Sequence, residues 1–183
     1  MNKKAKRVFK GVIFDVYQWR QKMFDGSFAT FEMIKRPATV EVVGITEDKK
    51  ILILQQRQPN TPVFYSLPGG RVDKSESVRQ AALRELREET GYASKKLKKW
   101  KSFNEYTTMD WQINMFIARY CRKVGGLMLD PGEKIKVKKI TFERLLKLAE
   151  SDYFWCSRYF TKILFKAKFN KIFKKKLYQE LFG

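Results

Sequence analysis

The chain has 183 residues, 44% hydrophobic and 15% aromatic, enough to bury a sizeable core as one domain spanning 1–183. It contains no histidine, which excludes imidazole metal ligation and histidine acid/base catalysis, and its two isolated cysteines, Cys121 and Cys156, give neither a disulfide framework nor a zinc spacing. The net charge of +20, from 39 Lys+Arg against 19 Asp+Glu, is compatible with RNA or an anionic membrane surface as partner, and equally with a lysine-rich composition that serves no partner.

Met1 to Arg7 is basic, but Lys10, Gly11, Asp15 and Gln18 interrupt the apolar residues that follow. Neither a signal peptide nor a membrane span is expected, and a reducing cytoplasm fits the cysteine usage. Val8 to Trp19 alternates as a strand, Asp25-Gly26 signals a turn, and Phe28 to Ile34 reads as a second strand, which gives an N-terminal β-hairpin extension over 1–36. Pro37 opens the core, taken as 37–150. Thr39 to Ile45 and Ile51 to Leu54 read as buried strands joined by the polar turn Glu47-Asp48-Lys49-Lys50. Gln55-Gln56-Arg57 follows at a strand end, where Arg57 reads either as a fork that holds phosphate bidentately or as a solvated arginine.

The densest chemical pattern is Gly70 to Tyr92, GRVDKSESVRQAALRELREETGY, with four glutamates and four arginines. Gly69 and Gly70 end an apolar run with a turn, Arg71 to Ser75 form a loop, Glu76 to Thr90 read as helix, and Gly91 stops it. With Glu85 set at zero on a helical projection, Val78, Glu89, Ala82 and Leu86 fall at about 20°, 40°, 60° and 100°, and Ala81 and Glu88 at about −40° and −60°. Arg84, Gln80 and Arg87 lie on the far side. Glu85 and Glu89 therefore sit in or beside the apolar stripe, where an ionised carboxylate is costly unless paired. Three crowded acids repel, and a divalent metal is the simplest charge to offset them. An all-oxygen ligand set suits Mg²⁺, or Mn²⁺, rather than zinc. The plainer reading of the same residues is a charged helix held by pairs such as Arg84 to Glu88.

Gly70, five residues, Glu76, seven residues, and then Arg84-Glu85-Leu86-Arg87-Glu88-Glu89-Thr90-Gly91-Tyr92 resembles a complete Nudix box, the signature of the Nudix hydrolases. Tyr92 stands where an aliphatic residue is commoner. The resemblance implies an α/β (α+β) fold, an α/β/α sandwich around a mixed β-sheet, and cleavage of a diphosphate linked to another moiety. It also implies Glu85, Glu88, Glu89 and the Gly69 carbonyl as metal ligands, and Arg84 as the residue that orients Glu76 and the glutamates. The N-terminal β segment and Gln55-Gln56-Arg57 resemble the ADP-ribose pyrophosphatase branch, which implies that Arg57 contacts the diphosphate and that the N-terminal hairpin forms a homodimer. That branch has an aromatic residue where this chain has Gln56, and a glutamate where it has Ser66. The Leu67-Pro68-Gly69-Gly70 turn is closer to the nucleoside-triphosphate-cleansing branch, so the substrate stays open.

Leu97 to Tyr106 and Trp111 to Tyr120 read as strands around a polar turn near Thr107 to Asp110. Tyr106 and Trp111 flank that turn and, with Arg57 and Gly70, are the candidate substrate-binding residues; packing against the core is the other reading for aromatics at strand ends. Gly125-Gly126 and Asp130-Pro131-Gly132 bracket a loop. By the resemblance Glu133 in it is the water-activating base, and an exposed loop acid is the alternative. Lys134 to Ile140 reads as strand and Phe142 to Glu150 as helix. Over 151–183 a basic segment repeats apolar residues at helical spacing from Phe154 to Phe182, as one or two amphipathic helices with a lysine face.

These readings lead to metal-assisted hydrolysis of ADP-ribose or a related nucleotide sugar to nucleoside monophosphate and sugar phosphate, with Glu133 or a box glutamate taking the proton. An RNA 5′ end, a dinucleoside polyphosphate or an NTP is the alternative substrate, and a catalytically silent nucleotide- or RNA-binding module is the alternative of another class.

Overall fold

The computed structural model describes residues 2–183. The N-terminal segment is a three-stranded antiparallel meander of β1 (Lys6–Lys10), β2 (Asp15–Lys22) and β3 (Phe28–Lys35), which corrects the reading of Val8 to Trp19 as one strand. The chain reverses where Gly11 N–H donates to the Phe14 carbonyl at 3.0 Å. Apolar residues continue through that turn, so alternation alone does not reveal the break. Between β2 and β3 the turn falls at Asp25-Gly26 as expected, with Asp25 Oδ1 accepting from the Ser27 N–H and hydroxyl at 2.9 and 2.7 Å.

The core carries β4 (Thr39–Thr46), β5 (Ile51–Arg57), β6 (Phe64–Ser66), α1 (Val78–Thr90), β7 (Tyr92–Ala93), β8 (Lys96–Asn104), β9 (Met109–Asp110), β10 (Gln112–Lys123) and β11 (Lys134–Ile140). β4 runs parallel to β10 from Thr39↔Ile113 to Thr46↔Cys121, β8 lies antiparallel on the other side of β10, and β5 pairs antiparallel with β11 from Arg57↔Lys134 to Ile51↔Ile140. The core sheet is therefore mixed. The short strand β9 pairs with β3 and ties the N-terminal sheet to the core, at the place where the sequence reading put only a turn.

Strand alternation sorts the buried residues of β4 onto two faces. Val40 and Val42 pack with Ala81, Ala82 and Leu86 of α1. Val43 and Ile45 pack with residues of α2 (Phe142–Leu148), α3 (Arg158–Phe169) and α4 (Lys171–Phe182). This is the α/β/α sandwich, with helices burying both faces of one sheet.

Helix α1 begins later than the Glu76 start read from the sequence. Ser77 is its N-cap, and a reciprocal pair closes the first turn: Ser77 Oγ accepts from Gln80 N–H at 3.3 Å while Ser77 N–H donates to Gln80 Oε1 at 2.8 Å. It ends at Gly91, whose φ of 69° lies in the left-handed region that glycine enters without a Cβ penalty. The C-terminal segment resolves into two helices. Asn170 ends α3 and caps α4, accepting from Phe173 N–H at 2.9 Å. Among the described residues no helix is long and apolar enough to cross a membrane.

Candidate active site

The Pro68 to Gly70 turn is fixed first by the sheet. Val42 N–H donates to the Pro68 carbonyl at 2.8 Å and Val40 N–H to the Gly70 carbonyl at 2.9 Å. These two bonds leave the Gly69 amide free to meet α1, where its N–H donates to Glu89 Oε2 at 2.7 Å. Glu89 is 4% exposed, at the point where α1 and the turn meet. Gly70 allows the closest approach: a Cβ there would stand 2.4 Å from Glu85 Oε1, so the Glu85 carboxylate occupies the space a side chain would need.

Arg84 gathers the remaining acids. Its Nε and Nη2 donate to Glu76 at 3.1 and 2.7 Å, its Nη1 to Glu85 Oε1 at 2.9 Å and Glu88 Oε2 at 3.0 Å, and its Nη2 to the Arg71 carbonyl at 3.0 Å. The projection sets Arg84 beside Glu88, one turn on, but away from Glu85 and Glu89. The long side chain folds back across the helix surface to reach Glu85.

Burial governs the electrostatics. It pushes the Glu85 carboxyl up to about 7 against the opposing pull of Arg84, and pushes Glu89 well above the usual carboxylate range, with the Gly69 N–H only partly offsetting it and Glu85, Glu133 and Glu88 raising it further. Glu133 is also raised, first by burial. Glu76 is lowered by the hydrogen bond from Arg84, which in turn holds its own proton more tightly because of Glu76. Several neighbouring carboxylates thus resist ionising together unless a cation joins them. That requirement and the all-oxygen donor set fit a hard divalent ion. Among the described residues no three acid side chains converge on one point as they lie, so an ion would draw Glu85 and Glu88 from the Arg84 fork.

Glu85, Glu88, Glu89, Glu133, Arg84, Gly69 and Gly70 all line one cavity of about 600 Å³. Arg36, Arg71 and Gln58 line it too. The sequence reading missed Arg36, which sits at the end of β3: one arginine among 39 cations carries no spacing signal, and only the neighbouring Pro37 marked the position. Its guanidinium lies 4.4 Å over the Trp111 ring and 5.5 Å over the Phe14 ring, and its buried Nε has no hydrogen-bond partner among the described residues. Burial and the Arg71 charge lower its pKa.

The other candidates stand apart from this cavity. Arg57, the last residue of β5, lines an adjoining opening of about 450 Å³ together with Glu133. Trp111 donates through Nε1 to Thr39 Oγ1 at 2.9 Å, and its ring lies 5.9 Å from that of Tyr106 with an interplanar angle of 5°. Trp111 borders the cavity through Arg36, and Tyr106 lies behind it. Gln56 and Ser66, the two departures from the ADP-ribose branch pattern, touch each other: Gln56 Nε2 donates to Ser66 Oγ at 2.6 Å in the core.

Comparison with known proteins follows the same lines. The chain is 34% identical over 150 residues to an ADP-ribose pyrophosphatase of Bacillus subtilis (strain 168), covering 79% of this chain and 80% of that protein. It is 27% identical over 158 residues to a methanol dehydrogenase activator of Bacillus methanolicus, covering 85% of each. A solved ADP compounds hydrolase superposes with a TM-score of 0.74 at 20% identity, over 94% of this chain and 92% of that one, which shows the shared fold. The NUDIX domain model matches residues 35–160, a span that holds the turn, the box helix and the Glu133 loop. The chain belongs to the Nudix family.

Proposed function

We propose that the protein hydrolyses the phosphoanhydride of ADP-ribose or a related nucleotide sugar, releasing AMP and a sugar phosphate, with Mg²⁺ as the divalent cation. The observation that carries this reading is the cavity in which buried carboxylates on α1 stand with the cationic pair Arg36 and Arg71. Similarity to the Bacillus subtilis ADP-ribose pyrophosphatase over most of both chains supports the substrate class.

Glu85, Glu88, Glu89 and the Gly69 carbonyl would hold the cation. When bound, it neutralises diphosphate charge and lowers the pKa of water. Arg84 stays anchored to Glu76 while Glu85 and Glu88 turn to the cation, and the absent Gly70 side chain lets Glu85 approach. Arg36 and Arg71 offer guanidinium donors to phosphate oxygens, with Arg57 a further donor near Glu133. Glu133, raised by burial, is suited to take the proton from attacking water because its affinity lies closer to neutral pH than that of an ordinary carboxylate. Tyr106 and Trp111 present the aromatic surface on which a nucleobase would rest.

The Leu67 to Gly70 turn and the charge of +20 favour a second reading, an RNA 5′ end, dinucleoside polyphosphate or NTP as substrate. On RNA, activity would fall steeply with salt as counterions are released. Phe9 and Ile34 are exposed in one row of the N-terminal meander, an apolar strip suited to a homodimer, which sedimentation at several concentrations would test. The free Cys121 and Cys156 suit a reducing cytoplasm.

Product release from ADP-ribose, other nucleotide sugars, dinucleoside polyphosphates, NTPs and 5′-triphosphate RNA, each with Mg²⁺, tests the proposal. The expected result is AMP and ribose 5-phosphate from ADP-ribose. Binding of a nucleotide without turnover of any substrate would assign the protein to the silent-module class.

A further inference from the structure

The C-terminal helical hairpin contributes nothing to the cavity, yet it holds a concentrated unpaired charge. From residue 153 to residue 179 there is no acidic residue, while Arg158, Lys162, Lys166, Lys168, Lys171, Lys174, Lys175 and Lys176 are all basic. Lys168 pairs with Glu150, and Lys174 lies 3.9 Å from Glu143. Among the described residues no carboxylate stands within ion-pair distance of Lys162, Lys166, Lys171, Lys175 or Lys176.

Helical spacing places Lys162, Phe165, Lys166 and Phe169 on one outward face of α3, opposite the buried Phe160, Leu164 and Ala167. On α4 the same spacing groups Ile172 with Lys175 and Lys176, opposite the buried Leu177 and Leu181. Asn170, in extended backbone, is the single residue between the two helices. Around it Phe169 is 77% and Ile172 85% exposed, although both are large apolar side chains flanked by lysines. The core gains nothing from this arrangement, because each helix already buries its other side.

We infer that this outer face of the α3–α4 hairpin docks on an anionic phospholipid bilayer, with Phe169 and Ile172 entering the headgroup boundary and the unpaired lysines meeting lipid phosphates. The chemistry matches an interfacial helix, in which an apolar tip adds buried area and a ring of Lys adds attraction to negative lipid. A single-stranded nucleic acid would use the lysines but needs π-faces for its bases, and Ile172, the most exposed large apolar residue of this segment, has none. The hairpin and the box helix cover opposite faces of the sheet, so docking leaves the cavity open to a soluble nucleotide.

The test is co-sedimentation of the full chain with phosphatidylcholine vesicles and with vesicles that also contain phosphatidylglycerol. Binding to the second and not the first is expected, weakening as salt is raised. The double variant Phe169→Ser/Ile172→Ser, which keeps every charge, should lose at least about tenfold in vesicle affinity, because two apolar side chains no longer enter the lipid boundary. The triple variant Lys171→Glu/Lys175→Glu/Lys176→Glu should not bind. Both variants should hydrolyse nucleotide as the parent does, which checks that they fold and separates this surface from the catalytic reading. Failure of the parent to bind phosphatidylglycerol vesicles overturns the inference whatever the variants do. So does undiminished binding by Phe169→Ser/Ile172→Ser, and capture of single-stranded RNA in the absence of vesicle binding would assign the face to nucleic acid.

Discussion

The backbone N–H of Gly69 donates to Glu89 Oε2 at 2.7 Å, which joins the turn beside β4 to the box helix at a buried carboxylate. The two glycines of that turn serve different ends. A Cβ on Gly69 would stand 2.1 Å from the Val40 carbonyl oxygen, part of the fixed backbone, whereas one on Gly70 would meet the end of the Glu85 side chain. Gly69→Ala should therefore lower stability by about 1–3 kcal/mol, as overpacking does. Gly70→Ala should stay within about 1 kcal/mol of the parent, because Glu85 can swing away, and yet lose activity by about 10- to 100-fold from the misplaced carboxylate. Thermal unfolding and turnover of the two variants check this; equal effects on both measures would contradict it.

Among the described residues Arg84 is the one cation that touches Glu76, Glu85 and Glu88 together. Arg84→Ala leaves those acids to repel one another and should lower stability by about 1–3 kcal/mol. Added Mg²⁺ should then raise the melting temperature of Arg84→Ala more than that of the parent, because the ion replaces the missing charge. Arg84→Lys should restore only part of the loss, since a point charge cannot fork across three carboxylates. A melting temperature insensitive to Mg²⁺ in both proteins would contradict this role.

On the other face of the sheet, Glu41 accepts from the N–H and hydroxyl of Ser157 at 2.7 and 2.6 Å, and burial pushes its carboxyl up to about 7 from the ordinary 4.5. The unfolded chain releases this proton at the lower value and the folded chain at the higher. Raising pH from about 4.5 to about 7 therefore removes stability, and a constant cost remains above that window. Glu41→Gln should be more stable than the parent by about 3 kcal/mol near pH 8, with the gain gone by about pH 4. Urea unfolding across that range measures it, and a difference that does not change with pH would refute the assignment.

The box helix was legible because its acids sit where periodicity demands apolar residues, a conflict that only chemistry resolves. Asp25-Gly26 was legible because its turn type prefers those residues. The reversal at Gly11 was not, since the apolar pattern of Val8, Phe9, Val12, Ile13 and Phe14 continues through it and all five remain exposed. β6 escaped because three residues are too few for a period. Arg36 escaped because its role comes from distant groups: Trp111, Phe14 and Arg71 meet it only through the pairing of β3 with β9 and the packing of the turn. Arg57 was seen for its fork, yet its position places it beside Glu133 in a neighbouring opening.

The most direct test of the catalytic reading is the turnover of ADP-ribose with Mg²⁺ by Glu89→Gln beside the parent, with unfolding measured on the same samples. The substituted amide would keep an acceptor for the Gly69 N–H and remove the buried charge. The expected result is a rate lower by about 10²-fold or more, with stability at neutral pH equal to or above that of the parent. Hydrolysis at the parent's rate would contradict the assignment of the buried carboxylates to the reaction.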